Sequence, residues 1–128
     1  MAIDFSAAQP PADMRAELRR QVTAMRWQKE TGGITVGGMP VNTGLDDQNR
    51  IASVLAVIAL GMETVDFKIS TGWVTLTAVE IQAVAKAVGT HVQACFSAER
   101  AHHAAIAKLD SAAAASYDVS SGWPVSAY

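Results

Sequence analysis

The stretch GGITVGGMPVNTGLDDQNR, Gly32–Arg50, places five glycines in its first thirteen positions. Glycine that dense either cradles a phosphate or frees the backbone for a chain reversal. A P-loop needs GxxxxGK[ST]; Gly33 and Gly38 have that spacing, but Met39-Pro40 stands where the lysine and hydroxyl must be. Nor does a GxGxxG string occur. Ile34-Thr35-Val36 and Met39-Pro40-Val41 instead flank Gly37-Gly38, the pattern of a two-residue hairpin turn with positive φ. Pro40 lacks an N–H, so its strand is expected at an edge or only partly paired. NTGLDDQ then starts a helix, with Thr43 or Asp46 as the cap and Asp46 and Asp47 favoured at its positive end.

Upstream, Gln9-Pro10-Pro11 keeps a helix from beginning earlier, leaving residues 1–11 as an N-terminal arm. A first helix runs to about Glu30 on the apolar stripe Met14, Leu18, Val22 and Met25, and Gly32-Gly33 ends it. Downstream, Leu45–Met62 reads as a second helix, apolar nearly all round. Ile51, Val54, Leu55, Ile58 and Met62 make one face, while Val57 and Leu60 point elsewhere. VDFKISTGWVTLT alternates with period two and predicts a second hairpin with its turn at Thr71-Gly72. Thr77-x-x-Glu80 is a capping box opening the longest helix, expected from Ala78 to about Ala113, with a seam through Ile81, Val84, Val88, Val92, Cys95, Ile106 and Leu109. The fold class is small α+β: three helices, the third longest, and two short hairpins at one end. The body spans 12–110, followed over 111–128 by an Ala/Ser-rich linker and an aromatic tail.

At 128 residues and a net charge of −2, the chain is one small domain without the basic excess that nucleic acid or anionic lipid attracts. Arg15, Arg19, Arg20 and Arg26 are interleaved with Asp13, Glu17 and Glu30, as on a solvated helix face. A single cysteine, Cys95, excludes an internal disulfide. The N-terminus lacks a signal-peptide pattern, and the apolar run Ile51–Met62 is too short to span a bilayer. The expectation is a soluble protein in a cytoplasm-like setting.

Candidate chemistry is sparse. His91, Cys95, Glu99 and His102 step by four, four and three residues and share a helix face, a ligand set for zinc if a symmetry mate helps. The competing reading is a packed seam with Glu99 paired to an arginine or histidine. Cys95 reads as a small buried hydrophobe, and no GxSxG or HExxH string is present. No catalytic residue, cofactor, resident metal or small-molecule substrate is expected. Tyr117, Trp123 and Tyr128 are candidate partner-binding anchors; the alternative is that the GWP stretch folds back on the chain's own hairpins or stays disordered. Val57 and Leu60 are the further candidates, because a thin domain leaves part of such a helix for another subunit. That predicts a homo-oligomer, a trimer or a ring.

In order, RWQKETGGITVGGMPVNTGLDDQNRI, DFKISTGWVTLTAVEIQAVAKAVGTHVQACFSAER and AHHAAI resemble a domain of unknown function found in tailed-bacteriophage tail-fibre and tail-associated proteins. The resemblance covers about Arg26 to Ile106 and rests on Gly33, Ile34, Gly38, Val41, Thr43, Gln48, Ile51, Trp73, Leu76, Thr77, His91 and Phe96. It implies a phage or prophage origin and transfers no catalytic residue. The implied role is a structural tail or tail-fibre component that contacts other tail proteins, in the virion and, during assembly, in the host cytoplasm. Two alternatives stand beside it: an assembly chaperone absent from finished particles, and a metal-binding module on the His91/Cys95/Glu99 face.

Overall fold

The computed structural model describes residues 11–128, so the arm expected over 1–11 lies, but for Pro11, outside the described residues. The chain is an α+β domain. In order it forms α1 (Pro11–Thr31), β1 (Ile34–Val36), β2 (Met39–Val41), α2 (Leu45–Ala59), β3 (Thr64–Ile69), β4 (Gly72–Thr77), α3 (Ala78–Ile106) and α4 (Ser111–Ala115). Among the described residues no helix is long and apolar enough to cross a membrane.

The glycines of the opening stretch do what the hairpin reading requires. Gly37 and Gly38 turn β1 into β2 with φ of 54° and 82°, positive at both central residues as a type I′ turn demands. Gly33 ends α1 at φ 89°, and a Cβ there would sit 3.3 Å from the Val41 carbonyl oxygen. Gly33→Ala is therefore expected to cost about 1–3 kcal/mol in urea unfolding; an unchanged midpoint would show that this connection yields freely.

Pro40 pairs with Thr35, flanked by Ile34↔Val41 and Val36↔Met39. Thr35 sends both its backbone groups away from β2, its N–H to the Ser126 carbonyl and its carbonyl to the Tyr128 N–H, each at 2.7 Å. The missing proline N–H thus costs the hairpin nothing, and β2 lies at the edge of its two-stranded sheet, the first of the two placements expected. The Pro40 carbonyl accepts from the Ser70 N–H at 3.2 Å, joining the two hairpins at one end of the molecule. In the second hairpin Val65, Phe67 and Ile69 are buried, while Asp66 and Lys68 share the outer face with Thr75 and Trp73.

α3 carries two cores. Its first half, through Ile81, Val84 and Val88, packs with Ile34, Val41, Ile51, Ile58 and the inner face of the second hairpin. Its far end, through Ile106, packs with Leu18 and Val22 of α1 and Ala114 of α4. The capping box is formed, the Thr77 hydroxyl accepting from the Glu80 N–H at 3.2 Å and the Glu80 carboxylate from the Thr77 N–H at 3.0 Å. The third helix stops at Ile106, short of the Ala113 expected. Ala107–Leu109 turns the chain, and the Asp110 carboxylate accepts from the Ala113 N–H at 2.8 Å to restart it as α4.

Candidate interaction surfaces

A polar layer separates the two cores. Arg26 of α1 donates to Glu30 at 2.5 Å and to Glu99 of α3 at 2.8 Å, and its guanidinium lies 4.4 Å from the centre of the Phe96 ring. Thr23 adds a hydroxyl bond to Glu99 at 2.6 Å. Glu30 is buried, and its second oxygen accepts from the Gln48 amide at 3.0 Å. Thr43 was a candidate helix cap; the cap is Gly44, and Thr43 does something else. Its fully buried hydroxyl accepts from the Gly33 N–H at 2.9 Å and donates to the Glu30 carbonyl at 2.7 Å, tying the end of α1 to the start of α2. Burial works to raise the Glu99 pKa, but the bonds from Thr23 and Arg26 outweigh it and hold the carboxyl below its usual range.

The histidine–cysteine face belongs to this layer and to the C-terminal segment. A carbonyl only accepts, so the His91 Nε2–H donates to the Lys29 carbonyl at 2.8 Å, and its Nδ1 takes the Tyr128 hydroxyl at 3.1 Å. His102 repeats the arrangement: Nε2–H to the Ser121 carbonyl at 2.7 Å, Nδ1 to the Tyr117 hydroxyl at 2.5 Å. Both nitrogens of each ring are thereby occupied. Among the described residues, no group of three histidine, cysteine or acidic side chains is placed to hold a metal ion. Cys95 is fully buried; desolvation first, then the Glu30 charge, pushes its thiol up, the opposite of what a nucleophile needs.

The three aromatic candidates of the tail all engage the chain itself. Tyr117 meets His102 edge-on, Trp123 stacks on that ring at 5.3 Å, and its indole N–H donates to the Val119 carbonyl at 2.9 Å. Tyr128 meets His91 edge-on at 5.7 Å. Within a single chain the tail folds back, but Trp123 of the GWP stretch lands on His102 of α3 rather than on the hairpins expected. Residues 111–128 run back along α3 rather than standing off as a linker and free arm.

Val57 and Leu60 do face outward. Leu60 is 86% exposed and Val57 37%, beside Met62 at 48%. Because the Ala78 N–H donates to the Glu63 carbonyl at 3.0 Å, the start of α3 lies next to this end, and it adds Val79 at 75%. Ile51 and Ile58 cover the opposite side of α2.

One further surface was not singled out by sequence reading. A cleft of about 220 Å³ between α2 and the second hairpin is lined by Val54, Phe67 and Trp73 and by the charged Asp47, Arg50, Asp66 and Lys68, with Arg50 paired to Asp47 at 3.4 Å. Trp73 is 71% exposed, and the Lys68 ammonium sits 5.7 Å from the centre of its ring. The period-two pattern that pairs Lys68 with Trp73 on the outer face was the signal for it. The cleft is smaller than usual ligand pockets of roughly 300–1,000 Å³. Its carboxylates are also partly engaged, Asp47 by the Gly44 N–H and Asp66 by the Thr75 hydroxyl.

No curated protein and no solved structure matches the chain. One family model does, that of a domain of unknown function, over residues 13–121, which takes in both cores, the polar layer and the cleft. On that match, covering most of its length, the chain belongs to the DUF4376 family.

Proposed function

We propose that this chain is a non-enzymatic structural protein of a bacteriophage tail, working through contacts with copies of itself and with other tail or fibre proteins. The observation that carries the assembly part is the band of Val57, Leu60, Met62 and Val79, large apolar side chains gathered at one end and left in water. Such a band costs solubility unless something covers it, and a ring or trimer offers each copy a neighbour to do so. The polar groups that look most like chemistry, Arg26, Glu99, His91 and His102, already bond one another, the backbone or the tail. Their arrangement suits rigidity better than turnover. Placement at the tail rests on the resemblance set out for Gly33 through Phe96.

Mass spectrometry of purified particles from the phage or prophage that encodes the chain tests this reading. Detection at a fixed copy number is the expected result. Detection in the producing cells alone would replace the virion component by a transient assembly chaperone.

A further inference from the structure

The edge of β1 that faces away from β2 is filled by the last described residues of the chain. The Thr35 N–H donates to the Ser126 carbonyl at 2.7 Å, the Tyr128 N–H to the Thr35 carbonyl at 2.7 Å, and the Gly37 N–H to the Tyr128 carbonyl at 2.8 Å, with Thr35 and Ala127 bridged in parallel. This is a strand added to a sheet edge, with one side-chain socket. The Tyr128 ring stands edge-on to the buried His91, whose own orientation is fixed by the Lys29 carbonyl.

Acceptor and donor are separable parts. Thr35, Gly37 and His91 lie inside the span matched by the family, residues 13–121, whereas Ser126–Tyr128 lies beyond it. Trp123 is anchored on His102 and Val119 before the strand begins. Between anchor and strand come Pro124 and Val125. Val125 is well exposed, and neither residue takes part in the hydrogen bonds found among the described residues. The strand can therefore leave β1 without disturbing the Trp123 anchor. Three backbone bonds and one hydroxyl hold it, the scale of a marginal strand.

We propose that β1 and His91 form an acceptor for the C-terminal strand of a second copy, and that Ser126–Tyr128 is exchanged between neighbours in the assembled protein. This deepens the self-assembly reading above and rests on it. Exchange keeps every bond of the closed form, so concentration and the strain of the Pro124-Val125 link decide between the two. A short link gives the strand a millimolar effective concentration for its own β1, so exchange sets in where copies are held together at comparable density. Exchange can be reciprocal within a pair, giving a two-fold dimer, or pass head-to-tail from copy to copy, closing into a ring or continuing as a filament.

Two single variants, Thr35→Cys and Ala127→Cys, separate the forms when mixed at about 1 mM chain and joined by a short bis-maleimide. Cys95 stays in place, since it is buried and the wild type controls for its reaction. A link between residues 35 and 127 in that mixture can form only across two chains. It is expected as the main product, and it should fall at least tenfold when the Ala127→Cys copy also carries Tyr128→Ala. The double variant Thr35→Cys/Ala127→Cys shows that both sites react. If it links only within one chain at every concentration, and the mixture yields no 35–127 product, exchange is overturned. Light scattering on the same mixtures keeps the two readings apart: oligomers without a cross-chain link would overturn the exchange alone, and monomers throughout would overturn self-assembly with it.

Discussion

Replacing Arg26 by alanine is expected to lower the unfolding free energy at neutral pH by about 3–5 kcal/mol, because it strands two buried or nearly buried carboxylates. Glu30 keeps the Gln48 amide and Glu99 keeps the Thr23 hydroxyl, but neither keeps a cation within hydrogen-bond reach on α1. The pH dependence supplies a second readout. Burial pulls the Glu99 pKa upward, and the Thr23 and Arg26 bonds more than reverse it, so the folded value lies below the unfolded one. A depressed carboxyl contributes stability that is present above the unfolded pKa and lost as pH falls through the folded pKa. The gap between wild type and Arg26→Ala should accordingly be widest near pH 7 and narrow as pH falls through the depressed Glu99 value. Chemical denaturation across that range measures it. A loss under about 1 kcal/mol at neutral pH would mean that the layer behaves as a solvated surface pair.

The second large effect concerns the two cores strung on α3. Ile81 and Ile106 are both fully buried, the first against the hairpins and α2, the second against α1 and α4. Truncating either to alanine is expected to cost about 2–5 kcal/mol. Their local signatures should differ. Ile106→Ala opens the small core that holds Ala114, Tyr117 and Trp123, so amide exchange should quicken first over 111–123. Ile81→Ala should quicken it first in the two hairpins. Identical exchange patterns in the two variants would mean that the polar layer does not divide the molecule energetically.

Much of this architecture was legible in local sequence. The Gly37-Gly38 turn, the alternation from Val65 to Ile69 and the Thr77–Glu80 box each act within a few residues, and each forms, although the second hairpin turns at Ser70-Thr71, one residue before the Thr71-Gly72 expected. The overrun of the third helix has a local cause too. Ala-rich sequence continues past Ile106 with no glycine or proline to stop it, and only Asp110 marks the new start. What sequence could not supply was long-range pairing. Thr43 looked like a cap because its neighbours are polar, yet its partners are Gly33 and the Glu30 carbonyl, ten and thirteen residues back. The spacing of His91, Cys95, Glu99 and His102 correctly put them on one face. Its meaning depended on a tail that returns along α3 to bring Tyr117 to His102 and Tyr128 to His91. The same return brought the aromatic anchors against α3, while Leu60 and Val79 remain among the most exposed apolar side chains.

Several residues on which the proposed phage-tail reading rests sit at these junctions. Gly33, Thr43, Gln48 and His91 join α1, α2 and α3 through hydrogen bonds, and Ile34, Val41, Ile51 and Leu76 fill the larger core. Trp73 and Phe96, by contrast, are exposed, Trp73 at the cleft and Phe96 under the Arg26 guanidinium.

Self-assembly through the exposed end of α2 is the central claim, and light scattering coupled to size exclusion tests it most directly. Over a range of chain concentrations, the wild type is expected to run as a defined oligomer. Leu60→Glu should dissociate it to monomers while changing unfolding of the fold itself by no more than about 0.5 kcal/mol, as for an exposed position. A wild-type protein that remains a strict monomer at the highest concentration would contradict the account, as would an oligomer indifferent to a charge at Leu60.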